Sequence, residues 1–416
     1  MGVSIALHLA KKSDPLKEPV LLLEKSELGA GSSGRSGAIL RAMYSERALA
    51  SMARDSMREY ASFLQRIGRT VGYRRSGVLT LAGPEQPEWI ERIEANVAMM
   101  RTLGIEVEAV GAEEVRSLFP GIEVSDGVRG GWEPEGGFVH PESALDSFAA
   151  LARSYGATTR FGIGARGLIL DGKRVIGVET DAGRVDCERV VVAAGAWTRA
   201  FLASAGIELP LRAVRPCNHF LETPGSEGEA YQPEPPEPLF AIDDQLERME
   251  ERFDQPEGAA PNHPVLIDLE RSFYSRCEPT RGRTRVGHID YEHDQDVPDP
   301  DALDEKVDAD FQSWARSTLR QRMPLYAEQG DAGSQAALYT LTPDAQALLG
   351  PVPHIEGLYV ATGFSGHGFK LAPSVGVGLA QCMRDEPISA FDADFFSPSR
   401  FEGAGDADAR VQAFGL

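Results

Sequence analysis

The first 25 residues place a short buried helix directly before a strand that ends in an acid. After Gly2, the apolar positions of residues 1–10 recur at the spacing of a helix with a buried face. Residues 20–25 read VLLLEK, an apolar run typical of a parallel strand buried on both faces. Glu24 follows Gly2 by 22 residues, close to the offset between the last glycine of a GxGxxG fingerprint and its ribose-binding acid. The pattern predicts half of a dinucleotide-binding unit.

The other half of such a unit precedes the helix. We therefore expect Gly2 to be the third glycine of the fingerprint, with the first strand and the first two glycines upstream of Met1. The upstream DNA tests this expectation, which would be contradicted if it encodes no in-frame strand followed by GxGxx.

Net charge and hydropathy exclude several classes of partner. The 416 residues include 63 Asp and Glu against 42 Lys and Arg, a net charge of −21, which repels nucleic acid and anionic membrane. No apolar run is long enough to span a bilayer and the N-terminus lacks a signal-peptide pattern, so we expect a cytoplasmic protein without a transmembrane segment. The four cysteines are scattered without metal-ligand spacing, which predicts free thiols.

The rest of the chain alternates between predicted helices and strands. Residues 29–44, GAGSSGRSGAILRAMY, form a Gly- and Ser-rich loop whose backbone N–H groups have room to approach a phosphate. Helices are predicted over 45–67, 88–104 and about 301–323, and strands over 77–83 and 190–194, with a hairpin that turns at 181–183.

Five stretches together resemble a known family. VLLLEK, GAGSSGRSGAILR, VVVAAGAW, TPDAQALLGPVP and GLYVATGFSGHGFKLAP occur in the order and roughly the spacing of the D-amino-acid oxidase superfamily of FAD enzymes. The chain looks most like the branch that contains monomeric sarcosine oxidase and dimethylglycine dehydrogenase. The resemblance spans nearly the whole chain, and its most specific motif is residues 363–370.

The resemblance implies an α/β fold with two domains. One is a Rossmann-like FAD-binding domain, here without its first strand, and the other is a mostly antiparallel β substrate domain. The expected ranges are 1–75, 140–215 and 335–390 for the FAD-binding domain, 76–139 and 216–334 for the substrate domain with an exposed insertion at about 223–263, and 391–416 for a peripheral tail.

Two cations are expected to bind the substrate. By resemblance, Lys370 and Arg41 hold the substrate carboxylate, which fixes both its orientation and its charge class. His367 is either a polar group of the site or a hydrogen-bonded histidine of the turn. Residues 366–368 are expected to begin a helix, with Ser365 as its cap, whose free N–H groups offset the negative charge of the reduced flavin.

The contacts to FAD follow from the same resemblance. Glu24 is expected to bind the adenosine ribose, Gly2 the pyrophosphate, and Ser32 and Ser33 the diphosphate region. The expected cofactor-binding residues are Gly2, Glu24, Lys25, Ser32, Ser33, Arg35, Gly195, Trp197, Gly363, Ser365, Gly366, His367, Gly368, Phe369 and Lys370.

Two positions depart from the sarcosine oxidase pattern. Ala337 falls where those oxidases have the cysteine that bonds to the flavin, and GSSGRSGAILR contains no histidine that could replace it, so we expect noncovalent FAD. Arg285 falls where they keep a lysine that helps oxygen react with reduced flavin, and arginine lacks the hydration and proton exchange of lysine. The change favours a dehydrogenase, which passes electrons to an acceptor other than oxygen, over an oxidase. The sequence leaves three acceptors open: oxygen, a quinone or an electron-transfer protein.

The expected function is FAD-dependent oxidation of an amino acid or N-methyl amino acid, such as sarcosine or dimethylglycine. Hydride transfer to the flavin would leave an imine that hydrolyses in water. Tyr44, Tyr274 and Tyr339 are candidates for an aromatic wall around a methylated amine. His288 and His293 superficially resemble a metal pair, but the acids around them suit a solvated loop end, so no metal is expected.

Two alternatives stay open at this stage. An NAD-linked Rossmann dehydrogenase explains Gly2 and Glu24 but not the GFSGHGFK motif. A flavin-free subunit or interaction protein would account for a nucleotide-binding unit without its first strand.

Overall fold

A computed structural model describes residues 1–225 and 263–402; most of the predicted insertion and residues 403–416 lie outside the described residues. The helices are α1 (Gly2–Ala10), α2 (Arg47–Ile67), α3 (Pro87–Thr102), α4 (Ala112–Leu118), α5 (Pro141–Ser154), α6 (Thr198–Ala203), α7 (Ala309–Arg322) and α8 (Ala372–Met383). The strands are β1 (Leu21–Glu24), β2 (Ile39–Leu40), β3 (Val78–Ala82), β4 (Glu108–Gly111), β5 (Arg129–Glu133), β6 (Gly137–Phe138), β7 (Thr158–Phe161), β8 (Ala165–Asp171), β9 (Arg174–Thr180), β10 (Gly183–Asp186), β11 (Val190–Val192), β12 (Arg212–Arg215), β13 (Cys217–Glu222), β14 (Val265–Asp268), β15 (Phe273–Glu278), β16 (Arg283–His288), β17 (Gln295–Asp296), β18 (Asp331–Ala336), β19 (Tyr339–Leu341), β20 (Leu348–Pro351) and β21 (Leu358–Thr362).

The predicted N-terminal helix packs between a strand and the last helix. Ser4 donates a 2.7 Å hydrogen bond from Oγ to the backbone carbonyl of Ala372, at the start of α8. A Cβ on Gly376 would lie 2.4 Å from that Oγ, and a Cβ on Gly2 would lie 3.2 Å from Leu22 of β1. Glycine at both positions therefore allows α1 to approach its neighbours closely. Among the described residues, no helix is long and apolar enough to cross a membrane.

The parallel strands form two small sheets. β1 pairs in parallel with β7, and β11 pairs in parallel with β21, which β20 joins in antiparallel direction. Within the described residues β1 and β11 each pair on one edge only, and both strands line the same cleft. The strand predicted upstream of Met1 stays a prediction.

An eight-stranded sheet has the strand order β18-β13-β16-β15-β14-β3-β5-β4. Its neighbouring strands run antiparallel except for β14 and β3, which pair in parallel. Helix α7 contributes Ala315 and Leu319 to an apolar core that includes Leu221, Phe273 and Val286 of this sheet. The expected mostly antiparallel β portion of an α/β fold is confirmed.

One predicted helix is shorter than expected. We expected a helix over about 301–323, but α7 begins at Ala309, after a single 3-10 turn at Pro300–Ala302. Arg215 of β12 donates from Nε to the carbonyl of Asp304 at 2.7 Å and from its guanidinium to that of Lys306. The backbone before Ala309 therefore gives its carbonyl groups to this arginine rather than to helical N–H groups.

The expected tail is described up to residue 402. Phe391 and Phe396 are buried in the core that also contains α1 and α2. The guanidinium of Arg400 donates from Nε to Asp344 Oδ2 at 2.9 Å and from Nη2 to Oδ1 at 3.0 Å. These contacts hold residues 391–402 against the loop that precedes β20.

Candidate cofactor cleft and active site

A cleft of about 2000 Å³ runs past the carboxyl ends of β1, β11 and β21. Ligands of α/β proteins bind at this end of parallel strands, because the loops that follow the strands open there. Predicted site residues that line the cleft are Gly2, Glu24, Lys25, Ser32, Ser33, Arg35, Gly195, Trp197, Arg285, Gly363, Ser365, Gly366, Gly368 and Phe369. Arg41, His367 and Lys370 do not line it.

The residues expected to bind the nucleotide lie together along the cleft. Glu24 ends β1, and its Oε1 accepts a 2.9 Å hydrogen bond from the backbone N–H of Ser26. Gly2, the first residue of α1, lies beside this strand. In the loop that follows, a Cβ on Gly34 would lie 2.3 Å from the carbonyl oxygen of Gly29. The loop therefore closes tightly only because residue 34 is a glycine.

The rim of the cleft is held by ion pairs. Lys25 bonds to Asp301 and lies 4.3 Å from the ring centroid of Trp197, whose Nε1 donates to the same carboxylate at 2.8 Å. Arg35 pairs with Glu305 in the same way. The cationic side chains expected beside the cofactor thus form ion pairs with protein carboxylates. These ion pairs connect the rim of the cleft to the segment before α7.

The Gly-rich turn after β21 also lines the cleft. Gly363, Ser365 and Gly366 have φ of 68°, 46° and 81°, in the left-handed region. Helix α8 begins only at Ala372, after a 3-10 turn at Phe369–Leu371. The expected helix start at 366–368 is too early, because Gly366 is left-handed and the right-handed backbone begins at the 3-10 turn, whose N-cap is Gly368. The expected Ser365 cap is wrong, since no side chain caps this turn. The Ser365 hydroxyl instead donates back to the carbonyl of Gly363 at 3.3 Å.

The two predicted substrate-binding cations lie together, but behind the cleft wall. Arg41 is 3% exposed and Lys370 is 6% exposed. Arg41 Cζ lies 4.5 Å and Lys370 Nζ lies 5.7 Å from the ring centroid of Tyr44. The His367 ring packs 5.7 Å from the same centroid, and its Nε2 is 3.1 Å from the carbonyl oxygen of Ala345. Burial lowers the pKa of His367 to about 3, so its ring is neutral at physiological pH.

Glu133 belongs to this cluster, although the sequence did not single it out. Its carboxylate is 1% exposed and accepts backbone N–H bonds from Ala42 at 2.5 Å and Met43 at 3.2 Å. Its charge attracts both Arg41 and Lys370. Burial, and then the adjacent Arg41, lower the pKa of Lys370 well below its ordinary value. One carboxylate thus faces two cations, which leaves a net positive charge when Lys370 is protonated.

Arg285 is the one residue of the predicted catalytic set that lines the cleft. Glu278 accepts its Nε at 2.9 Å and its Nη2 at 2.8 Å, and accepts Nε of Arg283 at 2.8 Å. Although burial alone would raise the pKa of Glu278, the neighbouring cations Arg285, Arg276 and Arg283 hold that pKa well below its ordinary value. The β15–β16 hairpin pairs Glu278 with Arg283. An acid and an arginine at facing positions of a hairpin are therefore the pattern in the sequence that could have indicated this network.

Two of the three predicted aromatic residues line the cleft. Tyr274 and Tyr339 are exposed to it, and the Tyr274 hydroxyl donates to Asn218 Oδ1. Tyr44 is fully buried among the cations behind the wall. Ala337, the position at which the resemblance predicts noncovalent FAD, also lines the cleft.

A model of the family described as FAD dependent oxidoreductase matches residues 1–382. The chain belongs to this family. FAD is therefore its cofactor, which leaves the NAD-linked alternative without support. The cleft suits that cofactor, with an acid at a strand end beside a helix N-terminus on one side and the backbone of a glycine-rich turn on the other.

Relatives match nearly the whole chain. The peroxisomal sarcosine oxidase of Homo sapiens is 28% identical over 423 residues, covering 98% of this chain and 95% of that protein. The 4-methylaminobutanoate oxidase (formaldehyde-forming) of Paenarthrobacter nicotinovorans is 27% identical over 97% of this chain, which spans only 44% of that protein. The L-proline dehydrogenase structure from P. horikoshii aligns with a TM-score of 0.78 at 22% identity, over 96% of this chain and 94% of that one. This last likeness shows the fold alone.

Proposed function

We propose that this flavoenzyme oxidises an amino acid or N-methyl amino acid at the carbon next to its nitrogen. The observation that carries the proposal is the pair of buried cations, Arg41 and Lys370, next to the glycine-rich turn of the cleft. Such a pair selects a substrate with a carboxylate and fixes its orientation. The names of two relatives, a sarcosine oxidase and a 4-methylaminobutanoate oxidase, support an N-methyl amino acid.

The proposal gives each cation a positioning task. Lys370 follows Gly368 and Phe369, which line the cleft, so rotation of its flexible side chain away from Tyr44 would bring the ammonium group toward a bound carboxylate. Arg41 would hold the same carboxylate from the 39–44 segment, which Glu133 fixes through its two backbone hydrogen bonds. FAD, when bound, accepts the hydride. The imine product would hydrolyse in water without a protein nucleophile.

A turnover assay with a panel of amines tests this function. The panel contains sarcosine, dimethylglycine, proline and a D-amino acid, each paired with the corresponding amine that lacks the carboxylate, with a redox dye as acceptor. We expect turnover only with the carboxylate-containing member of a pair. Equal rates with both members would contradict the proposal.

We further propose that the enzyme is a dehydrogenase, because Arg285 is hydrogen-bonded to Glu278 and exchanges protons poorly. Repeating the assay with air as the acceptor tests this.

Glu24→Gln should weaken FAD binding by about tenfold, because a neutral amide replaces a charge-assisted acceptor of ribose hydroxyl bonds, which is about twice as strong. Titration of the apoprotein with FAD, followed by flavin fluorescence, measures the Kd. Glu27→Gln is the matched control, since Glu27 is exposed and does not line the cleft. An E24Q chain that binds FAD as tightly as E27Q would remove Glu24 from the proposed nucleotide site.

Binding of a simple carboxylate such as acetate should be accompanied by proton uptake. Burial and Arg41 lower the pKa of Lys370 in the free chain, and a new negative charge beside the ammonium group raises it again. Affinity should therefore be highest below the pKa of Lys370 in the free chain and fall as the pH rises through it. Calorimetry in two buffers with different ionisation heats gives the number of protons taken up. If acetate bound with no proton uptake over the whole pH range, Lys370 would not be the group that binds the carboxylate.

A further inference from the structure

A second cluster of polar side chains lies outside the cleft, at the last residue of β16 and in the loop that follows it. His288, Asp290 and His293 each offer one ligand atom, and these atoms all lie within 4.8 Å of one another. The two imidazole rings are 4.5 Å apart between centroids. None of the three residues lines the cofactor cleft. A stretch of six residues, HIDYEH, thus brings two nitrogen donors and one oxygen donor to a single point.

The first histidine of the cluster is held in place by packing. The His288 ring stacks on Trp314 of α7 with 3.6 Å between centroids, and Phe311 packs 5.4 Å away. His288 Nδ1 is buried and has no hydrogen-bond partner among the described residues. A buried polar atom without a partner is unfavourable, and a bound metal ion or a water molecule would satisfy it. Asp290 is half-buried and His293 is exposed, so the cluster is open to solvent on one side.

We propose that His288, Asp290 and His293 bind a divalent transition-metal ion of the zinc, cobalt and nickel class. Imidazole nitrogen with one carboxylate is a donor set that such ions prefer, whereas calcium and magnesium take oxygen ligands. Water would complete the coordination on the exposed side. This geometry departs from the solvated loop end that the sequence favoured, because the ring of His288 is packed rather than solvated.

The site would act through the loop that carries it. Tyr291 lies between Asp290 and His293, is buried, and donates a hydrogen bond from its hydroxyl to the backbone carbonyl of Ser365 in the glycine-rich turn. The Tyr291 ring also meets the Tyr339 ring edge-on, at 6.5 Å between centroids. A metal ion that fixes both ends of this loop would hold Tyr291, and through it the turn, in place.

Calorimetric titration of the tag-free, EDTA-treated full chain with Zn²⁺ tests the site. We expect one equivalent of Zn²⁺ per chain, and binding at least about tenfold weaker in both His293→Gln and Asp290→Asn, because each removes a ligand. His293 is exposed and Asp290 is half-buried. The side-chain carbonyl that D290N introduces can still accept the Glu292 N–H bond that Asp290 accepts at 3.2 Å. His354→Gln is the matched control, an exposed histidine elsewhere that pairs with Glu402 at 3.3 Å.

Zn²⁺ should also raise the Tm of the unmodified chain and of H354Q, but not of H293Q. Circular dichroism of each variant without metal shows that it is folded. Absence of stoichiometric Zn²⁺ binding by the unmodified chain would overturn the proposal. Equal affinity in the unmodified chain, H293Q and D290N would overturn it as well, because the metal would then bind elsewhere.

Discussion

Lys370→Met should lower kcat/KM for an amino-acid substrate by about 10²- to 10³-fold and leave the flavin spectrum unchanged. Truncating one partner of a buried, hydrogen-bonded charge pair costs about 2–5 kcal/mol, and each 1.4 kcal/mol is a factor of ten. The loss should appear with every carboxylate-containing substrate that the enzyme turns over, because it arises from the contact with that group. Steady-state kinetics with sarcosine or another member of the panel measures the change.

Stability distinguishes this role from a structural one. Burial and Arg41 disfavour the protonated form of Lys370 more than Glu133 favours it, so an uncharged side chain of similar length should leave the free energy of unfolding unchanged or higher. Lys173→Met is the matched control, since Lys173 is exposed and distant from the cleft. If K370M and K173M had the same kcat/KM, the carboxylate would have to bind elsewhere, and Arg285, which faces the cleft, would be the next candidate.

Glu278→Gln should destabilise the fold by about 3–5 kcal/mol at pH 7. The change removes a buried carboxylate and leaves the guanidinium groups of Arg285, Arg283 and Arg276 without their shared negative charge. Urea denaturation measures the difference in the free energy of unfolding. Glu386→Gln is the control, because its pair with Lys12 at 2.7 Å is exposed and such pairs contribute about 0–1 kcal/mol.

The pH dependence of this difference follows from the direction of the pKa shift. Because the folded chain holds the pKa of Glu278 below its ordinary value of 4.5, the carboxylate contributes its full stabilisation above that value. The contribution is lost only as the pH falls through the folded-state pKa. The difference in the free energy of unfolding between the unmodified chain and E278Q should therefore be constant from pH 8 to about pH 5.5 and become smaller at lower pH. A loss for E278Q no larger than for E386Q would contradict the assigned role of the network.

The elements that carry the proposed nucleotide site could be predicted from the sequence because their signals are local. The α1 helix, the β1 strand and the Gly- and Ser-rich loop each follow from the pattern of neighbouring residues. The motif at 363–370 likewise placed a glycine-rich turn at the end of a buried strand. Only the fold shows that the strands bring these stretches to one cleft.

The charge partners could not be predicted because they depend on pairing between distant segments. Glu133 is one of 63 acids, and it meets Arg41 only because β5 places it beside the backbone of Ala42 and Met43. The side of the turn on which Lys370 lies was also missed. The sequence predicted a helix beginning at 366–368. The structure instead has three left-handed residues and then a 3-10 turn, and the Lys370 side chain lies near Tyr44.

The visible absorption spectrum of the purified full chain under anaerobic conditions tests the central claim most directly. The spectrum is recorded before and after addition of each amino acid of the panel and of its carboxylate-free amine, and again after acid precipitation. We expect flavin bands that bleach with an amino acid but not with its paired amine, and flavin that passes into the supernatant with acid, as noncovalent FAD requires. A folded but colourless chain, or bands that no amino acid bleaches, would contradict the proposed oxidation and favour a subunit without redox activity.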